Sequence, residues 1–252
     1  MIEINIIHVL LFFTLVILQT IVGVGVLVLG TPILLILNYN IVESISILLP
    51  ISILTSLFNL IYFKYIKKIS LLSLGNGIKK SFFTVCIPAI FLGIILLKYY
   101  QEVINFKILV SFLILTTLII KKYFNNYFLM LSDLKKKIIL FGIGLVHGVS
   151  NSGGTLLSIF ILNINKNLKT KTRYSLTFFY FFLAFLQYLI FIFFFQKIIL
   201  LNLLTNLMLI ILSAVLIGNL LVKYINDKKF NFLIEVLTLI TVIFLIINNY
   251  NN

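Results

Sequence analysis

Apolar runs of about 20 residues recur along this chain, separated by short stretches rich in Lys and Asn, and few folds tolerate them. Such a run is the length a helix needs to cross a hydrocarbon layer roughly 30 Å thick at about 1.5 Å per residue. Residues 41–63, 81–97, 103–120, 174–196, 199–222 and 230–247 are read as six membrane spans. A soluble domain could not bury this much apolar surface: 62% of the 252 residues are hydrophobic and 10% charged. The class expected is an all-α integral membrane protein.

The formal charge of +14 does not mark a nucleic-acid binder, because the basic residues sit in the connections between apolar runs and not on an amphipathic face or arm. That distribution is the positive-inside pattern of membrane proteins. Nineteen of the 20 basic residues are Lys, and Asn and Ile are abundant too, a bias that genomic base composition explains. Cys86 has no partner, so neither a disulfide nor a thiolate metal site can be built, and no cofactor is expected. Glu3 and the absence of a basic region ahead of the first apolar stretch argue against a removable signal peptide.

Two further apolar stretches, 4–37 and 138–163, are interrupted by Gly23-Val24-Gly25 and by Ser150-Asn151-Ser152-Gly153-Gly154. A straight helix over 4–37 would be about 50 Å long, and the pieces after the breaks, about 18 and 15 Å, reach only half way through the core. The eight apolar segments therefore form either eight simple crossings or six crossings plus two re-entrant helical hairpins. Eight crossings divide the basic residues eleven to nine between the faces, whereas two hairpins divide them seventeen to three. The second partition has the expected bias. It puts both termini outside the cytoplasmic membrane and the loops at 64–80, 121–137, 166–173 and 223–229 inside. Each half, 1–122 and 138–252 around a cytoplasmic linker at 123–137, then comprises one hairpin and three transmembrane helices. Three crossings per half invert the second half relative to the first. At one constant offset Gln19 falls on His147, Gly25 on Gly153 and Asn59 on Gln187, so the sequence reads as an inverted repeat.

The stretch Gly23-Val24-Gly25-Val26-Leu27-Val28-Leu29-Gly30-Thr31-Pro32-Ile33-Leu34-Leu35 resembles the first signature of the sulfite exporter TauE/SafE family, a Gly-rich turn followed by small and apolar residues and a Pro-Leu run. Gly144 to Leu157 is similar to its second copy, with Phe160 in place of a Pro and Asn151-Ser152 in place of further Gly. The resemblance covers nearly the whole chain. It implies a carrier of sulfite, sulfonates or related sulfur anions that works without a prosthetic group.

In the hairpin arrangement, the segments after the breaks begin as helix N-termini near the bilayer midplane. Their N–H groups attract anions. Gly23, Gly25, Thr31, Asn151, Ser152, Gly153, Gly154 and Thr155 are therefore candidate substrate-binding residues, joined by Asn59 and Gln187 on the spans that follow. The glycines at the breaks are read as turns, and Gly93, Gly142 and Gly218 as sites of close helix packing. His147 is a candidate proton carrier or a packed neutral side chain, and Gln19 is its repeat-related counterpart. Glu235 either serves a proton path or snorkels toward Lys228 and Lys229, while Glu43, Lys171 and Arg173 read as helix starts near the surface.

Three function classes are weighed. Two histidines without a pair of buried carboxylates offer little to an intramembrane enzyme, and no P-loop signature supports a pump. A noncatalytic subunit needs no polar breaks at repeat-related positions. The reading is a secondary transporter, not an enzyme, with a small anion and the lipid bilayer as its partners.

Overall fold

The computed structural model describes residues 6–23, 25–69, 76–124, 132–165, 168–195 and 201–226, and 228–230, 232–233, 236, 239–240, 243 and 246–247 of the last segment. Both termini, Val24, Lys166, Lys197, Glu235 and most of the span expected at 230–247 lie outside the described residues.

Among the described residues, α-helices follow in the order α1 (Ile6–Val22), α2 (Val26–Ile36), α3 (Ile41–Tyr65), α4 (Asn76–Ser81), α5 (Ile87–Tyr100), α6 (Phe106–Phe124), α7 (Asp133–Ser150), α8 (Gly153–Ile164), α9 (Lys169–Phe195) and α10 (Leu201–Leu221). Among the described residues, Ile41–Tyr65, Gly77–Tyr100, Lys169–Phe195 and Leu207–Tyr224 are long and apolar enough to cross a membrane. Their outer faces are apolar and uncovered, as Leu209, Leu216 and Leu220 of α10 illustrate, which suits contact with lipid chains.

Several helices run past the apolar runs that announce them. α9 begins at Lys169 and not at 174, and α7 begins at Asp133, inside the segment expected to be linker, where Ser132 caps it by accepting from the Lys135 N–H. A helix does not stop where hydrocarbon does, since its backbone bonds are internal and polar side chains are welcome in the headgroup layer. Between α4 and α5 the chain passes through a π-helical turn, Phe82–Cys86. Pro88 explains it, because its ring collides with the carbonyl four residues back and a widened turn absorbs the collision. Glu43 closes a capping box with Asn40 at the start of α3, as expected of a helix-start residue.

Both interruptions are helical hairpins. α1 ends in a turn at Gly23, whose φ is 82°, and α2 runs back along it, so that the Tyr39 hydroxyl reaches His8 Nε2 at 2.7 Å at the open end. α7 ends at Asn151, whose φ is 60°, and α8 returns along α7. Gly23 and Asn151 lie 128 residues apart, the offset expected of a repeat, and each donates its N–H to the carbonyl four residues earlier, Gln19 at 2.7 Å and His147 at 2.9 Å. The two turns have one design.

α3 and α9 lie antiparallel, with Phe63 edge-on to Tyr174 at 5.5 Å. α5 packs on α7 through Gly93, Gly144 and Gly148: a Cβ on Gly144 would lie 2.2 Å from the Cys86 carbonyl, and one on Gly148 2.4 Å from that of Ile90. Small residues let membrane helices approach in this way. α10 packs on α1 with Gly218 against Thr20. Ile90 and Gly218, and Thr20 and Gly148, are each 128 residues apart, so these two close approaches involve positions that the expected offset pairs. Gly142 departs from expectation: no described residue lies within 4 Å of a Cβ built there, so it packs closely against none of them.

The contacts also sort the connections by end. Tyr39 meets His8, Asn38 meets Lys107, and Asn40, Gln101, Asn105 and Phe195 line one depression. Lys80 shares a second depression with Lys136 and Lys137, Ile78 a third with Asn165 and Lys171, and Lys169 donates to the Val222 and Ile225 carbonyls. Lys64 and Lys68 gather beside Tyr174 at the start of α9.

Candidate functional site

α9 passes both breaks on one face. Leu176 lies 3.0 Å from where a Cβ of Gly23 would stand, and one turn further on the Tyr180 hydroxyl covers Gly154. The same Gly154 position faces Val28 of α2 at 2.9 Å, so the first turns of α2 and α8 abut. The hairpins therefore bring two helix N-termini together inside the bundle, where partial positive charge accumulates.

The two N-termini differ in how they are satisfied. At the first break Gln19 Oε1 accepts from the Val26 N–H at 3.0 Å and caps α2, while its Nε2 donates to Ser56 Oγ at 3.2 Å and lies 3.4 Å from Ser52 Oγ. That amide is fully engaged. At the second break the residues 128 positions on from Gln19, Ser52 and Ser56 are His147, Tyr180 and Ala184, and no side chain among the described residues caps α8. His147 is wholly buried; its imidazole lies near the Asn151 backbone, yet neither ring nitrogen makes a hydrogen bond of ordinary geometry among the described residues. The Asn151 side-chain amide, the Tyr180 hydroxyl and Gln187 Oε1 are also buried without a partner among the described residues. Gln187 Nε2 donates to the His147 carbonyl at 3.2 Å, which joins these groups into one cluster. Buried polar atoms that lack partners cost about 1–3 kcal/mol each, so six of them around one helix N-terminus form an unusual environment.

The other candidates are spent locally or lie elsewhere. Ser152 pairs with the Ser150 hydroxyl at 2.6 Å, and Thr155 Oγ1 donates to the Ser152 carbonyl at 2.8 Å. Thr31, buried in α2, keeps an unpartnered hydroxyl. Asn59 belongs to a separate network: its amide donates to Thr20 Oγ1, and its carbonyl oxygen accepts from Asn219 Nδ2, both at 3.0 Å. Of the four break glycines only Gly23 uses a left-handed backbone. Gly25 is extended, and Gly153 and Gly154 are helical; they are glycines because a Cβ would strike Gln19 N at 2.5 Å, the Ile143 carbonyl at 2.4 Å and the Tyr180 hydroxyl. The turn at the second break is made by Asn151 instead.

Arg173 overturns its reading as a surface residue, since only 3% of it is exposed. Its Nε and Nη2 donate to the Thr20 carbonyl at 3.1 and 2.6 Å, Nη2 also donates to Asn219 Oδ1 at 3.0 Å, and the guanidinium lies 5.3 Å from the centre of the Phe63 ring. Tyr180 and Asn219 escape sequence reasoning because one Tyr among twelve and one Asn in an apolar run carry no pattern. Arg173 does carry a signal: it is the one Arg in a chain otherwise built with Lys.

Among the described residues no group of His, Cys, Asp and Glu is arranged to hold a metal ion. A depression of about 860 Å³ at one end of the bundle includes Glu102 and Lys107 but none of the break residues. Neither a curated protein nor a solved structure matches the chain. The model of one family, described as sulfite exporter TauE/SafE, matches residues 8–245, and the chain belongs to that family.

Proposed function

We propose that this protein is a secondary transporter of a small sulfur oxyanion, sulfite or an organosulfonate, in the cytoplasmic membrane, and that the anion binds at the N-terminus of α8. The family is one of transporters and not of enzymes, and the long apolar helices place the chain in a bilayer. One observation carries the site: His147, Asn151, Tyr180 and Gln187 surround an N-terminus whose N-cap Ser152 gives no side-chain capping bond, and six of their buried polar atoms have no partner among the described residues. An oxyanion accepts from the Tyr180 hydroxyl, the Asn151 Nδ2 group and an imidazole N–H of His147, and it is drawn by the dipole of α8 and by that of the adjoining α2. A cation finds no carboxylate there among the described residues.

The inverted repeat is part of this proposal. Its support is the matching turns at Gly23 and Asn151, the exchanged pairs Ile90–Gly148 and Thr20–Gly218, and the gathering of Lys-rich segments at one end. With that end cytoplasmic, its lysines steer anions inward toward α8, whose Phe160 lines the depression that holds Lys80 and Lys136. His147, within one turn of Asn151, exchanges a proton as the anion binds and leaves, which couples the two. Uptake of radiolabelled sulfite and of an alkylsulfonate into proteoliposomes, with and without an imposed pH gradient, tests the proposal. Uptake above protein-free liposomes is expected, and folded protein that moves neither compound defeats it.

A further inference from the structure

A buried charge without a counter-charge is expensive, and chains keep one only where it is used. Arg173 is such a charge. It lies at the Lys-rich end of α9, it is all but enclosed, and no carboxylate approaches it among the described residues. Its partners are neutral: the Thr20 carbonyl from α1, Asn219 from α10 and the face of Phe63 from α3. These occupy Nε and Nη2 only, and Nη1 makes no hydrogen bond among the described residues. The fork is thus held firmly along one edge with a charged donor edge left over.

The face of α9 that carries Arg173 continues through Leu176 at Gly23 to Tyr180 over Gly154. Seven residues of helix separate Arg173 from Tyr180, about 10 Å along the axis. A guanidinium presents paired N–H groups that match two oxygens of a sulfite or sulfonate, which a Lys ammonium does not. This accounts for an Arg in a chain where every other basic residue is Lys.

We infer that Arg173 is a second anion-coordinating residue, binding the transported oxyanion through its free Nη1 edge between the Lys-rich end and the α8 site. Thr20 and Asn219 aim the guanidinium, and the anion supplies the charge that the protein lacks there. The inference rests on the transport reading above. It predicts a preference for the divalent form of a sulfur oxyanion over a monovalent one, since a full positive charge joins the half charges of the helix ends.

The test is uptake of radiolabelled sulfite and of a monovalent alkylsulfonate by proteoliposomes of the full chain, R173Q and R173K, with the unfolding temperature of each protein recorded in parallel. R173Q is expected to raise the half-saturating sulfite concentration roughly tenfold or more while affecting the alkylsulfonate less, and R173K to fall between R173Q and the parent. A residue that only braces the helices would lower the unfolding temperature and leave the sulfite-to-sulfonate ratio unchanged, and that result overturns the inference. If R173Q does not fold, R173K decides: a parent-like half-saturation refutes the assignment and a raised one sustains it. Should the parent take up neither anion, the transport reading fails and takes the role of Arg173 with it, whereas uptake by the parent with unchanged selectivity in the variants refutes the role of Arg173 alone.

Discussion

Replacing Tyr180 by Phe separates a binding group from a structural one by the sign of its effect on stability. The hydroxyl is buried over Gly154 and has no hydrogen-bond partner among the described residues, so the folded protein bears its desolvation without return. Deleting such an oxygen relieves about 1–3 kcal/mol, less a few tenths for a void smaller than a methyl group. Y180F is therefore expected to be more stable than the parent by about 1 kcal/mol, a rise of a few degrees in unfolding temperature. Anion binding moves the other way. A hydroxyl donating to a charged acceptor contributes about 1.5–3 kcal/mol, so the half-saturating sulfite concentration should rise roughly 10- to 100-fold. Thermal unfolding in detergent without substrate and sulfite uptake in proteoliposomes measure the two effects on one preparation. A variant that is less stable and transports like the parent would show the hydroxyl to be satisfied by the fold and would remove it from the site.

Gly25→Ala and Gly153→Ala set a Cβ 2.5 Å from the Gln19 N and 2.4 Å from the Ile143 carbonyl, so they should pry the hairpins apart at a cost of about 1–3 kcal/mol each, and unchanged unfolding temperatures would contradict the packing described. Single cysteines at Gln101 and Lys135 in a Cys86→Ser background should react with an impermeant reagent from opposite faces; labelling from one face rules out the proposed topology. His147→Gln copies the side chain at the equivalent position of the first half, and we expect anion binding to persist while uptake no longer responds to a pH gradient. Uptake that still follows the gradient would make His147 a packing residue.

The hairpins illustrate how far sequence reasoning reaches. A polar break followed by half a span is a local signature, because hydrocarbon thickness and helix rise together dictate what a segment of that length can do. The breaks lie where the residues indicate, and the left-handed turn at Gly23 is legible from the glycine itself. The one at Asn151 is not, since the adjacent Gly153 and Gly154 draw attention away from a residue that also tolerates positive φ.

The sequence alone determined the membrane class, the two hairpin positions, the gathering of lysines in a subset of the connections, and the family signature, all of which depend on residues near one another in the chain. It could not determine that Gln19 caps α2 while His147 caps nothing, because that depends on whether Ser52 and Ser56 or Tyr180 and Ala184 stand opposite. Nor could it place Arg173, whose position beside a polar helix start reads as surface until α1, α3 and α10 close over it. Burial and hydrogen-bond satisfaction are properties of neighbours brought together by folding. Only the tertiary structure therefore distinguished the polar groups spent on the fold from those left without a partner among the described residues.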